Sequence, residues 1–276
     1  MSRIAARFAA LKAEGRGALI PFLEAGDPDA ATSMEILRGM PGAGADLIEI
    51  GCPFTDPMAD GPTIQLAGNR ALAAGATMAR TIAMVRDFRH DDDATPVILM
   101  GYLNPILSYG TERFCRDAGA AGADGLIIVD LPTEEAHVVL PHATANGLDI
   151  IRLVAPTTDD ARLPLVLEGS SGFVYYVSIT GITGTRTASG AELAEAIPHI
   201  RKVTDLPIAI GFGVRTPDQA AEAVRAADAA VVASVLIDTL AKSLDAHGRA
   251  APDTVRRVLD QVRALADSVR GARVPA

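Results

Sequence analysis

Residues 18–29 read ALIPFLEAGDPD, an apolar run of a strand's length that passes straight into Glu, Gly, Asp and Pro. The first strand of a doubly wound open sheet usually enters a glycine fingerprint at the turn into its helix. This run lacks that fingerprint, so the open sheet loses its signature here. Working outward, the same beat of short apolar run, loop and amphipathic stretch recurs. Its runs are ALIPFL (18–23), DLIEIG (46–51), VILMGY (97–102), DGLIIVD (124–130), LDIIRLV (148–154), GFVYYVS (172–178), PIAIGFG (207–213) and AAVVAS (229–234). Most are rich in β-branched residues, as strands are. Between them lie helical patterns such as AATSMEILRGM, TERFCRDAG and TPDQAAEAVRAA.

Strand and helix alternating eight times imply parallel strands joined by crossover helices. Closing such a sheet removes its exposed edges. The expected fold is therefore α/β, a single (β/α)8 TIM barrel filling residues 1–276 as one domain. The segment from Cys52 to Pro96 is much longer than the other connections, and strand 8 passes into IDTLAKSL. Extra helices are expected after strands 2 and 8. A further helix is expected at the N-terminus, where Ile4, Phe8 and Leu11 have amphipathic spacing and would cover the barrel's end. A transit peptide is the alternative reading of MSRIAARFAALKAEGRG, which has no apolar signal core.

Composition narrows the function classes. The chain is 49% hydrophobic but only 4% aromatic, with no Trp, so Ala, Val, Ile and Leu must fill the core, as in buried parallel strands. A net charge of −9 repels phosphate backbones and argues against nucleic-acid binding. No apolar run approaches the ~18 residues of a membrane helix. Cys52 and Cys115 lack metal-type spacing and are too few for a disulfide scaffold, so a reducing cytoplasm is expected.

Barrel enzymes keep their chemistry at the C-terminal ends of the strands. Glu49 lies inside the apolar run Leu47-Ile48-Glu49-Ile50. If it faces the barrel mouth, desolvation raises its pKa and lets it hold or release a proton near neutrality. The competing reading is a structural Glu paired with a core Arg such as Arg152. The next stretch, CPFTDPMADGPTIQ, is stiffened by three prolines and a glycine and carries Asp56 and Asp60. Asp60 before Gly-Pro could be a turn former alone. Together, Glu49 and Asp60 could place two carboxylates across one pocket, as general acid–base chemistry requires.

Cys52 lacks a nearby His and reads as a small buried hydrophobe. The histidines lie on helical stretches, His90 before three Asp reads as a solvated helix end, and no Lys of 12, 202 and 242 ends a strand. Metal and Schiff-base chemistry therefore lack candidates. Strands 7 and 8 end in GFGV (211–214) and ASVL (233–236), where barrels often hold phosphate on backbone N–H groups and a helix N-terminus. Gly211, Gly213, Ser234 and Gly184 in the strand-6 loop are the candidates. Phe22, Met100, Tyr102, Ile127, Val129, Leu153, Tyr175 and Phe212 lie at strand ends and would line an apolar slot beside the anion.

LIEIGCPFTDPMADGPTIQ (47–65), PVILMGYLNP (96–105), GLIIVDLP (125–132), VYYVSITGITGTR (174–186) and IGFGV (210–214) together resemble the α subunit of tryptophan synthase along the whole chain. The resemblance implies cofactor-independent retro-aldol cleavage of indole-3-glycerol phosphate to indole and glyceraldehyde 3-phosphate. It implies that Asp60 binds the indole N–H while Glu49 shuttles protons, and that Gly184, Gly213 and Ser234 hold the phosphate. Tyr175 and Thr183 match the pocket and lid. Pro53, Asp56 and Pro57 match the contact with a β subunit, which would carry pyridoxal phosphate in an α2β2 complex. One departure is Ala233, where the family commonly has Gly before the phosphate-binding Ser. The alternatives are a stand-alone indole-releasing lyase of the family, a non-catalytic phosphate-binding barrel subunit, and a sugar-phosphate isomerase, which would need a strand-end Lys or His.

Overall fold

The computed structural model describes residues 2–177, 190–211 and 213–272. Its strands are β1 (Ala18–Glu24), β2 (Ile48–Gly51), β3 (Val97–Gly101), β4 (Gly125–Ile128), β5 in two pieces (Asp149–Ile150 and Arg152–Val154), β6 (Val174–Val177), β7 (Ile208–Gly211) and β8 (Ala229–Val232). Every pairing between them is parallel. The ladder begins on one piece of β5 and ends on the other, having passed through all the remaining strands. Only Ile151 separates the two pieces, and its N–H still reaches the Leu126 carbonyl at 3.0 Å. The sheet thus closes into the expected barrel. Every strand but β1 occupies part of its apolar run, because the ends of those runs turn into loops, whereas β1 spans its whole run and extends to Glu24.

Alternation along the strands sorts side chains into two layers. Ile20, Leu47, Ile98, Ile127, Phe173, Ala209 and Val231 fill the barrel interior. Ile48, Ile50, Val97, Leu99 and Leu126 face the surrounding helices. The N-terminal helix Arg3–Glu14 adds Ile4, Phe8 and Leu11 to the interior cluster, so it floors the barrel as its spacing predicts. Phe8 meets Phe173 with ring centroids 5.9 Å apart.

Paired helices follow β2 (Pro62–Ala73 and Met78–Phe88) and β8 (Ser234–Lys242 and Thr254–Gly271), as expected. A third pair, Leu103–Tyr109 and Thr111–Ala121, follows β3. Its short first member went unread because Pro105 masks a helical pattern, although proline is tolerated in a helix's first turn.

The floor has a repeating device. A side-chain oxygen just before each even strand accepts an N–H at the start of the preceding odd strand. Asp46 takes Leu19 at 2.9 Å, Asp124 takes Val97 at 2.8 Å, Ser171 takes Ile150 at 3.0 Å and Asp228 takes Ile208 at 2.8 Å. Arginines neutralise the three acids: Arg7 and Arg16 at Asp46, Arg3 and Arg89 at Asp124, and Arg201 at Asp228. This pinned floor leaves the opposite rim free to carry loops.

Candidate active site

The C-terminal rim opens into a cleft of about 900 Å³, mouth included, lined by Phe22, Glu49, Asp60, Met100, Tyr102, Val129, Tyr175, Gly213 and Ser234 among others. The strand register explains its base. Phe22 of β1 stands beside Glu49 of β2, and Glu24 stands beside Gly51. Leu47, Glu49 and Gly51 share the inward face of β2 by alternation. Gly51 is required here, since a Cβ would lie 2.3 Å from Glu24 Oε2 and 2.5 Å from Phe22 Cζ. Gly211 does the same for Tyr175, whose hydroxyl would sit 2.1 Å from a Cβ at that position.

Glu49 is 1% exposed, and its Oε1 has no hydrogen-bond partner among the described residues. Burial alone pushes its pKa up to about 8. The structural reading of Glu49 is not what the molecule adopts: Arg152 instead donates to the Leu131 carbonyl at 3.1 Å. Asp60 sits at the end of the proline-rich loop, its backbone N–H on the Pro57 carbonyl at 3.2 Å. The next helix starts at once, with Gly61 as its cap and Pro62 in its first turn, the position proline favours. Burial raises the Asp60 pKa to about 6, opposed by a hydrogen bond from Tyr102. The Tyr102 hydroxyl accepts the Ala59 N–H at 3.1 Å, fixing the loop beside its acid. The cleft thus holds two carboxyl groups with different proton affinities.

Sequence reasoning missed a third. Glu24 is the last inward residue of β1, 4% exposed and on the cleft wall. Burial, then the charges of Asp60 and Asp27, hold its pKa well above the ordinary carboxyl value. It was hidden because FLEAGDPD reads as a strand entering a turn; period-two counting from Ile20 through Phe22 would have found it. Arg215, beside the glycine-rich end of β7, also lines the cleft and was likewise unread.

The other expected residues divide. Ile127 is fully buried in the interior and Leu153 packs against that cluster, so neither lines the cleft. Each lies where the strands are still packed against one another. Pro57 lines the cleft, while Pro53 is partly buried and Asp56 exposed on the outer side of the same loop. Cys52 also lines the cleft, its thiol pushed far up by burial. Thr183, Gly184 and Phe212 lie outside the described residues. Gly213 has φ +87°, which glycine adopts freely. Ala233 has φ −120°, so its backbone makes no demand for glycine. Ser234 opens the helix Ser234–Lys242.

The tryptophan synthase alpha chain family model matches residues 8–270. The chain belongs to the tryptophan synthase alpha chain family. It is 74% identical over 276 residues to the tryptophan synthase alpha chain of Granulibacter bethesdensis, covering 100% of this chain and 99% of the relative. It is 69% identical over 273 residues to that of Gluconacetobacter diazotrophicus, covering 99% and 100%. Among solved structures it resembles the tryptophan synthase subunit alpha of Legionella pneumophila, with TM-score 0.89, 36% identity and 98% and 99% of the two chains covered. It also resembles a chain of Mycobacterium tuberculosis tryptophan synthase, with TM-score 0.88, 36% identity and 98% of each chain covered.

Proposed function

We propose that Glu49 and Asp60 are the acid–base pair with which this tryptophan synthase alpha chain cleaves indole-3-glycerol phosphate to indole and glyceraldehyde 3-phosphate. The observation that carries the reading is the convergence of a fully buried Glu and a mostly buried Asp on one apolar cleft. Asp60, ionised at neutral pH, accepts the indole N–H and stabilises the positive charge that grows on the ring. Glu49 arrives protonated and gives its proton to the ring carbon bearing the glycerol chain. The resulting carboxylate takes the proton of the adjacent glycerol hydroxyl. The carbon–carbon bond then breaks, its electron pair returns to the ring, and the hydroxyl carbon becomes the aldehyde. Glu49 ends protonated, ready for the next turnover. The protonated ring is the electron sink, so the route asks nothing of a lysine.

Phe22, Met100, Val129 and Tyr175 supply apolar walls for the indole. Gly213 and Ser234 hold the phosphate through backbone N–H groups and a hydroxyl at a helix N-terminus, with Gly184 as the further phosphate-binding residue, while Thr183 belongs to the pocket and lid. The partner is a β subunit carrying pyridoxal phosphate, in an α2β2 complex, met by the outer side of the loop bearing Pro53, Asp56 and Pro57. The apolar character of the product favours its direct transfer to that subunit. No described helix is long and apolar enough to cross a membrane, and we place the protein in the cytoplasm.

The test is indole release from indole-3-glycerol phosphate by the purified chain, followed by addition of a β subunit and serine. Removing one acid–base group lowers a rate by ~10²–10⁴-fold, and Glu49→Gln and Asp60→Asn are each expected in that range with the fold retained by circular dichroism. Near-normal turnover by either variant would remove that residue from the mechanism.

A further inference from the structure

Charge in the cleft is one-sided. Among the described residues its walls carry three acids, Glu24, Glu49 and Asp60, and a single cation, Arg215. A substrate phosphate entering a protein of net charge −9 therefore meets one formal positive charge among the described lining residues. Arg215 follows Gly213 and Val214 on the same rim and shares the cleft with Ala233 and Ser234. Its backbone is held in place: the Arg215 N–H donates to Gln219 Oε1 at 2.8 Å, and the next residue, Thr216, caps the helix Pro217–Ala226 through a capping box. The guanidinium is much less constrained. Its Nη2 contacts Asp238 on the second turn of the helix Ser234–Lys242, and Nε and Nη1 have no partner among the described residues. Asp238 in turn accepts from Thr63 Oγ1 at 3.3 Å, on the helix that follows the Asp60 loop.

We propose that Arg215 is a substrate-binding residue that closes over the phosphate of the substrate, leaving Asp238 to do so. The inference rests on the phosphorylated substrate proposed above. The Arg215–Asp238 pair is 39% and 26% exposed. A pair so open to water is held weakly, so exchanging one carboxylate charge for a phosphate dianion is favourable. The planar fork of the guanidinium suits two phosphate oxygens at once. Ser234 and the first N–H groups of its helix address the phosphate from within the cleft, and Arg215 addresses it from the rim. Asp238 stores the guanidinium between turnovers and, through Thr63, ties its position to the helix behind Asp60.

The experiment is steady-state cleavage of indole-3-glycerol phosphate, with inorganic phosphate as a competitive inhibitor. A charge-assisted hydrogen bond is worth about tenfold or more in affinity. Arg215→Gln is expected to raise KM and the phosphate inhibition constant by about that factor, with kcat little changed, the signature of lost uniform binding. Arg215→Lys should recover part of the loss. Asp238→Asn removes the competitor and should lower KM. If the pair is only a brace, Arg215→Gln and Asp238→Asn will share one defect in kcat and thermal stability with phosphate inhibition unmoved, and the proposal is overturned. An unchanged KM in Arg215→Gln overturns it equally. Failure of the unaltered protein to release indole would instead count against the proposed reaction.

Discussion

Glu49 and Asp60 differ in proton affinity because they differ in solvent contact. In the proposed mechanism Asp60 works ionised, so its contribution is lost as pH falls through about 6. Glu49, in the same proposal, works from its protonated form, so its contribution is lost as pH rises through about 8. The free enzyme should therefore show a bell-shaped kcat/KM against pH with limbs near those values; a profile flat across pH 5–9 would contradict these roles. The same burial has a consequence for stability. Folding raises the Glu49 pKa from its ordinary 4.5 to about 8, so the folded state binds this proton more tightly than the unfolded state. The stabilisation is complete below about 4.5, is lost progressively as pH rises, and is gone above about 8. Glu49→Gln has no such proton to lose. Its melting temperature relative to the unaltered protein should climb between pH 5 and 8 and then level off. A difference independent of pH would mean that Glu49 is not held neutral by its surroundings.

The even strands are each pinned at the floor by one side-chain oxygen, and the four pins are not equal. Asp124 is 4% exposed and serves the Val97 N–H, Arg89 and Arg3 together. Asp228 is 30% exposed and its partner Arg201 44%. Removing one member of a buried ion pair leaves an uncompensated charge and costs about 3–5 kcal/mol. Asp124→Ala should lose stability in that range by urea unfolding, and Asp228→Ala clearly less, because water can take over its role. Both should keep the kcat of the folded fraction, since the floor lies at the far end of the barrel from the cleft. The same elements show what sequence makes visible. Asp46, Asp124 and Asp228 stand openly at the head of DLIEI, DGLII and DAAVV, yet their shared task appears only when neighbouring strands are in register. Strand runs and paired helices were legible through local periodicity, and Glu49 through being a lone acid in an apolar run. Glu24 and Arg215 were not, because their significance comes from residues distant in sequence that share the cleft with them: Gly51 on the neighbouring strand for the first and Ser234 for the second. Ile127 and Leu153 erred the other way, since period two gives the face of a strand but not the depth at which packing ends and cavity begins.

At the scale of the molecule, one loop faces two ways. Phe54, Pro57 and Asp60 look into the cleft, and Phe54 packs on Tyr102 with ring centroids 5.7 Å apart. Met58, between Pro57 and Asp60 in sequence, is 74% exposed. A large apolar side chain so open to water, on a loop that also carries the proposed acid Asp60, is suited to burial against a partner. Binding there would press on the same short, proline-stiffened segment that positions Asp60, which gives a physical route from the β subunit to the chemistry. Fully burying a Met side chain contributes about 1.5–3 kcal/mol, so placing a charge there should weaken association by roughly tenfold or more. Met58→Glu is expected to leave basal indole release by the isolated chain unchanged, because the side chain does not line the cleft. In a titration with β subunit, the half-maximal concentration for stimulation should rise while the plateau stays the same. An unshifted titration would move the contact off this loop. A normal midpoint with a lowered plateau would mean that Met58 transmits the partner's effect without contributing to its binding.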